Sequence, residues 1–543
     1  MLKNTNNLPS VAYFCMEYGL QSDFKMYAGG LGILAGDYLK GAKDLNVPLI
    51  GIGLKWKQGY SDQYISKDGK LYDSYHNYQY DFLEDTQIKV TVKIRGRDVV
   101  CKVLKVENFG NNPIYLLDTD IPENNGEDRW ITGQLYAWFK EERIAQEIVL
   151  GIGGVKLLRK LSIEIDVYHF NEGHAVLAAL ELIKENMESG YSFEEAWRKT
   201  REEVVFTTHT PIVQGNESHT LEALEYMGAF NGLNREQMLR IGGEPFNMTV
   251  ASLRLSRKSN AVAALHAETA NKMWHTTSGR SDIIAITNAI HVPTWVDERI
   301  TKAYEDNGDL WDTHTEIKKE LIQFIEERNG VKLDAEKLLI GFSRRAAPYK
   351  RSDLIFTKRE IIEPLLKEGK VQIVFSGKAH PLDDAGKSIV SSLEEISKIY
   401  PNSVVFLQNY DMTIGSMLTR GADIWLNNPR RPLEASGTSG MKAAMNGVLN
   451  CSILDGWWPE VCKHGRNGWQ FGDGLGLEEL NEEELDKQDC HALYNVLLNE
   501  VIPTYYNDRE KWTKMMRESI RSTREYFSID RMVEEYYEKL YIK

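Results

Sequence analysis

The segment EASGTSGMKAAMNG (434–447) sets a carboxylate, Glu434, ahead of a run of Ser, Gly and Thr, then places Lys442 where the pattern turns helical. Small residues let a backbone approach a ligand closely. A lysine at that point can grip a phosphate, form a Schiff base, or be a solvated helix residue. An N-capped helix with an exposed lysine accounts for the Ser and Thr but not for Gly437 and Gly440. A second stretch, IGFSRRAAPYKRSDLI (340–355), crowds Arg344, Arg345, Lys350 and Arg351 at a strand exit. Guanidinium forks and ammonium groups suit phosphate oxygens, and four clustered cations repel one another unless an anion compensates them. A solvated basic face is the alternative. VVFTTHTPIVQGNESH (204–219) delivers Thr208, His209 and Thr210 from a strand. There His209 could bond a sugar hydroxyl or serve the core. DVYHFNEGHAVLAALEL (166–182) puts Glu172 and His174 at a strand–helix turn, which also reads as helix capping by Asn171. YAGGLGILAGDYLK (27–40) has Gly29, Gly30 and Gly32 ahead of a helix. That suits an anion or sugar at exposed N–H groups, or a tight turn. His209 with His219 lacks Cys or carboxylates at ligand spacing, so no metal is expected.

These residues need strands to deliver them. β-like runs read as VAYFCME, VPLIGIGL, DVYHF, VVFTTH and DIIAIT in the first half, and as LLIGFS, VQIVFSG, SVVFLQ, ADIWLN and GVLNCSIL in the second. Helical patterns between them, such as 141–161 and 381–400, give an α/β class with parallel sheets. Residues 60–118, rich in Tyr, Val and Ile with turn signals, read as a β-rich insertion. The charged helical stretch at 300–335 places a boundary. The expected domains are 1–325, 326–505, and C-terminal helices 506–543 that pack back. Open α/β sheets bind ligands outside the carboxyl ends of their strands, so two such domains are expected to face a central cleft.

At 543 residues the chain is too long for one core. Its net charge of −14 argues against general nucleic-acid binding and against an anionic membrane surface. No apolar run is long enough to span a bilayer, and the N-terminal residues lack the apolar core of a signal peptide. Five scattered cysteines without a CxxC pair read as reduced thiols in a cytoplasmic protein. Most of the 12 tryptophans, including Trp457 and Trp458, read as core.

Together the quoted segments resemble the α-glucan phosphorylase family, along nearly the whole chain from YAGGLG to LDGWW. The chain looks like the short form, so no phosphorylation switch or nucleotide control is expected. The resemblance implies two Rossmann-like domains of the GT-B glycosyltransferase type. EASGTSGMK is similar to the family's pyridoxal 5'-phosphate attachment motif, which puts the cofactor on Lys442 as a Schiff base. Tyr410, Thr438 and Arg344 then contact the cofactor phosphate. Arg345 and Lys350, with Tyr349 beside them, bind the substrate phosphate together with the Gly30 amide in the Gly30–Gly32 loop. His209 contacts the glucosyl unit, Glu434, Ser436 and Gly437 hold glucose hydroxyls, and Glu172 and His174 fall on the substrate side. LYAWFKEER (135–143) stands where relatives often carry Gly-Gly-Asp.

The implied reaction is reversible phosphorolysis of an α-1,4-glucan or maltooligosaccharide at its non-reducing end. Inorganic phosphate enters and α-D-glucose 1-phosphate leaves with retained configuration. The family often forms homodimers. A retaining nucleotide-sugar glycosyltransferase is the nearest alternative, but it carries a second Glu eight positions after the first, where this chain has Lys442. An inactive glucan-binding protein would be expected to lose some of Lys442, Arg345, Lys350 and His209, and all four are present.

Overall fold

The structure is a computed structural model that describes residues 7–136 and 140–543. Within the 135–143 segment singled out above, residues 137–139 lie outside the described residues. The chain forms two compact units. The first holds the residues up to Tyr60, Tyr75–Thr287 and Ile529–Lys543. The second holds Ser61–Ser74 and Asn288–Ser528.

Among the described residues the first unit carries a nine-stranded sheet. Its spatial order is Ile283–Ala285, Lys258–Ala261, Val204–Thr207, Val167–Asn171, Val11–Phe14, Leu49–Leu54, Ile114–Asp118, Arg97–Val106, Glu84–Ile94. The first seven run parallel, and the last two join antiparallel. Strands covered on both faces read as continuous apolar runs, and VAYF is buried throughout. In the outer hairpin the strand Glu84–Ile94 alternates between exposed and buried, as a sheet with one wet face does. Its two-residue turn, Arg95–Gly96, has φ of 52° and 73°, the positive values that primed hairpin turns require. From Val11–Phe14 the order grows outward both ways, through Leu49–Leu54 on one side and Val167–Asn171 on the other. The loops leaving Val11–Phe14 and Val167–Asn171 therefore lie at a topological switch point, where open sheets bind ligands.

The stretch read as one helix at 141–161 is Lys140–Ile148, a π-helical turn Val149–Gly153, and Gly154–Lys160. A Cβ on Gly151 would lie 2.5 Å from the Ala178 nitrogen, so the turn lets two backbones touch. Helix Ile529–Tyr536 packs on helix Gly30–Asp44, where Gly41 makes room for Ile529. Behind it a buried network ties the last residues to the sheet. Tyr541 Oη lies 2.6 Å from both Tyr38 Oη and His169 Nδ1. His169 Nε2 lies 2.7 Å from Thr207 Oγ1, which donates to Asn260 Oδ1 at 2.6 Å.

The second unit carries a six-stranded, wholly parallel sheet. Its order is Val404–Leu407, Val371–Ser376, Leu338–Ser343, Ile424–Asn427, Leu449–Ile453, Gly468–Phe471. Each of the first five matches a run read from sequence. The order reverses between Leu338–Ser343 and Ile424–Asn427, a second switch point. The hairpin Asp62–Ile65/Leu71–Ser74 belongs here: Gln63 exchanges two side-chain bonds with the backbone of Ala379, at 2.7 and 2.8 Å. Helix Leu310–Asn329 also packs within this unit, with buried Lys318 bonding Asp423 at 2.6 Å.

Trp457 and Trp458 are core residues, and all five cysteines carry free thiols. Among the described residues no helix is long and apolar enough to cross a membrane. The mixed α/β class with large parallel sheets is the one the sequence predicts.

Candidate active site

In the second unit both loops at the switch point carry the residues singled out by type. Helix Thr438–Met445 begins from Gly437, which sits in the left-handed region at φ 88°, ψ 56°, and no side chain caps it. Its first N–H groups therefore remain available to an anion. Lys442 is 5% exposed, and its Nζ lies 3.2 Å from the centroid of the Trp295 ring. The solvated-lysine reading is thereby removed. Nearby donors are held ready: among the described residues, buried Ser436 Oγ, Ser439 Oγ, Arg344 Nε and Arg344 Nη2 have no hydrogen-bond partner. Leaving such groups unmet costs about 1–3 kcal/mol each, so the cluster is built for an acceptor from outside the chain. Tyr410 is half-buried, and burial pushes its phenol up against the opposing pull of Arg344.

The four cations of 344–351 separate into different tasks. Arg351 is a structural residue, bonded to Asp486, Asp489 and the carbonyls of Asn428 and Pro429. Lys350 is buried above the Tyr349 ring, 4.8 Å from its centroid, and its Nζ reaches Glu434 Oε2 at 2.5 Å. Arg345 is exposed. Burial would raise the Glu434 carboxyl, but Lys350 and Arg344 outweigh it and hold it below its usual range. Sequence reasoning missed Asp455, whose two oxygens accept from the Glu434 and Gly456 amides at 2.9 and 2.8 Å. Burial, with the Glu434 charge beside it, pushes Asp455 up to about 7. In sequence the DG pair of LDGWW signals only a turn.

In the first unit the glycine loop and the strand exits are joined by Glu17, also missed. Its Oε2 accepts from the amides of Ala28 and Gly29 at 2.7 and 3.1 Å, and its Oε1 accepts from Tyr136 Oη. Burial raises this carboxyl against those bonds. Gly32 is required by the protein itself, because a Cβ there would lie 2.5 Å from Glu17 Oε2. Gly30 is not: it is exposed, and a Cβ there would meet nothing within 4 Å.

His174 Nε2 accepts from the Met16 amide at 3.2 Å, so it serves the scaffold. Burial, with Arg143 adding to it, drops the ring to about 3. Glu172, at a left-handed φ of 73°, turns its carboxylate inward. It accepts from the His209 amide and from Thr210 Oγ1 (3.1 Å), and so fixes the backbone that carries His209. Asn171 donates to Cys15 Sγ through Nδ2, so its Oδ1, 2.6 Å from His209 Nε2, must accept. His209 is therefore the Nε2–H tautomer with Nδ1 left as an acceptor. Burial, with His266 adding to it, drops this ring to about 3 and keeps it neutral.

One further buried cluster joins Glu147, Glu217 and His219, whose ligand-type atoms lie within 4.8 Å of one another. Arg143 bonds Glu217 at 2.9 Å and lies 3.3 Å from Glu147, so the cluster already holds its own cation.

Comparison with known proteins agrees with this geometry. The family model for carbohydrate phosphorylase matches residues 298–502. The chain is 41% identical to a maltodextrin phosphorylase of Thermococcus litoralis, over 98% of this chain and 70% of that protein. It is 36% identical to a glycogen phosphorylase of Aquifex aeolicus, over 98% and 86%. It is 38% identical to an uncharacterized protein of Methanocaldococcus jannaschii, over 98% and 99%. An uncapped helix, a buried lysine and unmet donors at a switch point thus coincide with similarity along the whole chain, and the chain belongs to the carbohydrate phosphorylase family.

Proposed function

We propose that this chain is an α-glucan phosphorylase, cleaving α-1,4-glucans reversibly at the non-reducing end with inorganic phosphate. The product is α-D-glucose 1-phosphate of retained configuration. The relatives named above are maltodextrin and glycogen phosphorylases. The observation that carries the reading is the buried Lys442 beside the uncapped start of helix Thr438–Met445, among the unmet donors of Arg344, Ser436 and Ser439.

Family members generally depend on pyridoxal phosphate. The second unit suits that group: Lys442 would carry it covalently, and Thr438, Tyr410 and Arg344 would hold its phosphate. When bound, the cofactor supplies a phosphate whose second pKa, near ~6, suits proton exchange around neutrality. The chain's own residues do the rest. Lys350 and Arg345 grip the substrate phosphate. Held there, that phosphate can protonate the departing glycosidic oxygen and then attack from the same face, which gives retention without a carboxylate nucleophile. Positive charge develops on the sugar in the transition state. A neutral His209 bonds the glucosyl unit without adding a competing cation. Glu434, Ser436 and the Gly437 backbone hold sugar hydroxyls.

Mass mapping of the borohydride-reduced, mildly denatured and digested protein tests this. A pyridoxyl group on Lys442, with phosphate-dependent release of glucose 1-phosphate from maltodextrin, is expected. An unmodified Lys442 after incubation with pyridoxal phosphate would sink the proposal.

A further inference from the structure

Lys350 and Glu434, assigned above to phosphate and to sugar, are bonded to each other. Both side chains are 8% exposed, and the Nζ to Oε2 distance is 2.5 Å. Each arrives from a different switch-point loop, Lys350 from the turn Pro348–Lys350 and Glu434 from the segment after Ile424–Asn427. Glu434 is not free to wander. Its amide is pinned by Asp455, and Gly456, at φ 58°, leaves room for Glu434 Cγ and the Ser436 carbonyl, which a Cβ would meet at 2.9 and 2.2 Å. In a buried pair each charge is the other's counter-ion, and removing one leaves the other exposed to the full desolvation penalty.

An oxyanion that takes Lys350 arrives beside the carboxylate that already holds it, and two anions there repel. The carboxylate must turn away, and its lone pairs then need donors. Sugar hydroxyls are such donors. We propose that Glu434 competes with phosphate for Lys350, so that phosphate and the glucosyl unit bind cooperatively, each freeing the group the other needs. The idea rests on the assignment of Lys350 to phosphate. Linkage makes the coupling reciprocal: whatever factor glucan adds to anion affinity, the anion adds to glucan affinity.

Calorimetric titration of the holoenzyme with sulfate, an unreactive stand-in for phosphate, tests it. Glu434→Gln keeps the shape and removes the charge. Sulfate is expected to bind this variant about tenfold tighter than the unmutated protein, within the 5- to 150-fold range of linked sites. Maltopentaose should tighten sulfate binding to the unmutated protein and not to the variant. Sulfate binding that is unchanged or weaker in Glu434→Gln, while Lys350→Gln abolishes it, overturns the coupling and leaves the assignment standing. Sulfate binding that survives Lys350→Gln overturns both. Should Glu434→Gln fail to fold, the unmutated protein decides: sulfate affinity indifferent to maltopentaose overturns the proposal, and a tightened one supports it.

Discussion

Glu434 and Asp455 are two buried carboxyls joined through one backbone amide, yet their environments push them in opposite directions. Lys350 and Arg344 hold Glu434 ionised against burial, whereas Asp455, buried beside the Glu434 charge, rises to about 7. An acid whose folded value lies above its unfolded value of 3.8 binds the extra proton in the native state, so stability falls as pH climbs between those values. Asp455→Asn should remove that fall. Urea unfolding at pH 5 and pH 8 should show the variant gaining on the unmutated protein at the higher pH. Between pH 5 and the folded value near 7 the span is about two pH units, which bounds the gain at about 3 kcal/mol; it is superimposed on a pH-independent loss of about 1–3 kcal/mol, because the Asn side-chain nitrogen cannot accept from the second amide. His209→Ala should lower kcat/KM about 10²-fold, the scale of losing one polar contact to the reacting group, while leaving the pyridoxyl signal on Lys442 intact. Residue types and spacing singled out His209, Lys350, Glu434 and Lys442 as candidates. The tasks of Glu17, Asn171 and Asp455 could not be read that way, because each acts through a partner distant in sequence: Glu17 bonds Tyr136, and Asn171, which reads as a helix cap, instead bonds Cys15 and His209.

At the scale of elements, helix Thr438–Met445 is the piece whose placement matters most. Gly440 lies flat against Asn450 and Trp457: a Cβ there would sit 2.8 Å from Asn450 Oδ1 and 2.9 Å from Trp457 Nε1. Gly440→Ala should therefore push the helix off its sheet. Overpacking of this kind costs about 1–3 kcal/mol, and displacement of Lys442 should show as cofactor lost on dialysis. The absorbance of dialysed protein and a thermal melt would check both. The apolar strands were legible because burial on both faces writes itself as Val, Ile and Leu runs. Two were not. Lys258–Ala261 is polar in sequence, and its hydroxyls are satisfied only in three dimensions, where Ser259 lies within 3.0 Å of Ser256 and Ser281. Gly468–Phe471 has four residues and opens with glycine, too little to show a period. The π-turn at Val149–Gly153 was hidden for a different reason, since its Gly151 is set by the approach of residue 178.

For the whole molecule, the division into units does not follow the order of the chain. Residues 61–74 belong with the second unit and 529–543 with the first. Removing Ile529–Lys543 would strip Tyr38, His169 and Thr207 of Tyr541 and Tyr536. Buried groups left unmet at about 1–3 kcal/mol each approach the entire stability of a domain. Amide exchange in such a truncation should accelerate through Val11–Phe14, Val167–Asn171 and Val204–Thr207, while Leu338–Ser343 and Val371–Ser376 stay protected. Uniform protection would contradict this account of the C-terminal residues. The same interleaving sets a timetable. A ribosome adding about 5–20 residues per second delivers N-terminal domains first, and they ordinarily fold as they emerge. Here the hairpin at 61–74 must wait for Ala379 and Gln408, and the first sheet must wait for Tyr541. The unit begun first is thus completed last. Its nine strands must stay unaggregated for the roughly 13–50 s that synthesis from Ala285 to Tyr541 takes, so its demand on chaperones is set by residues far downstream of the sheet.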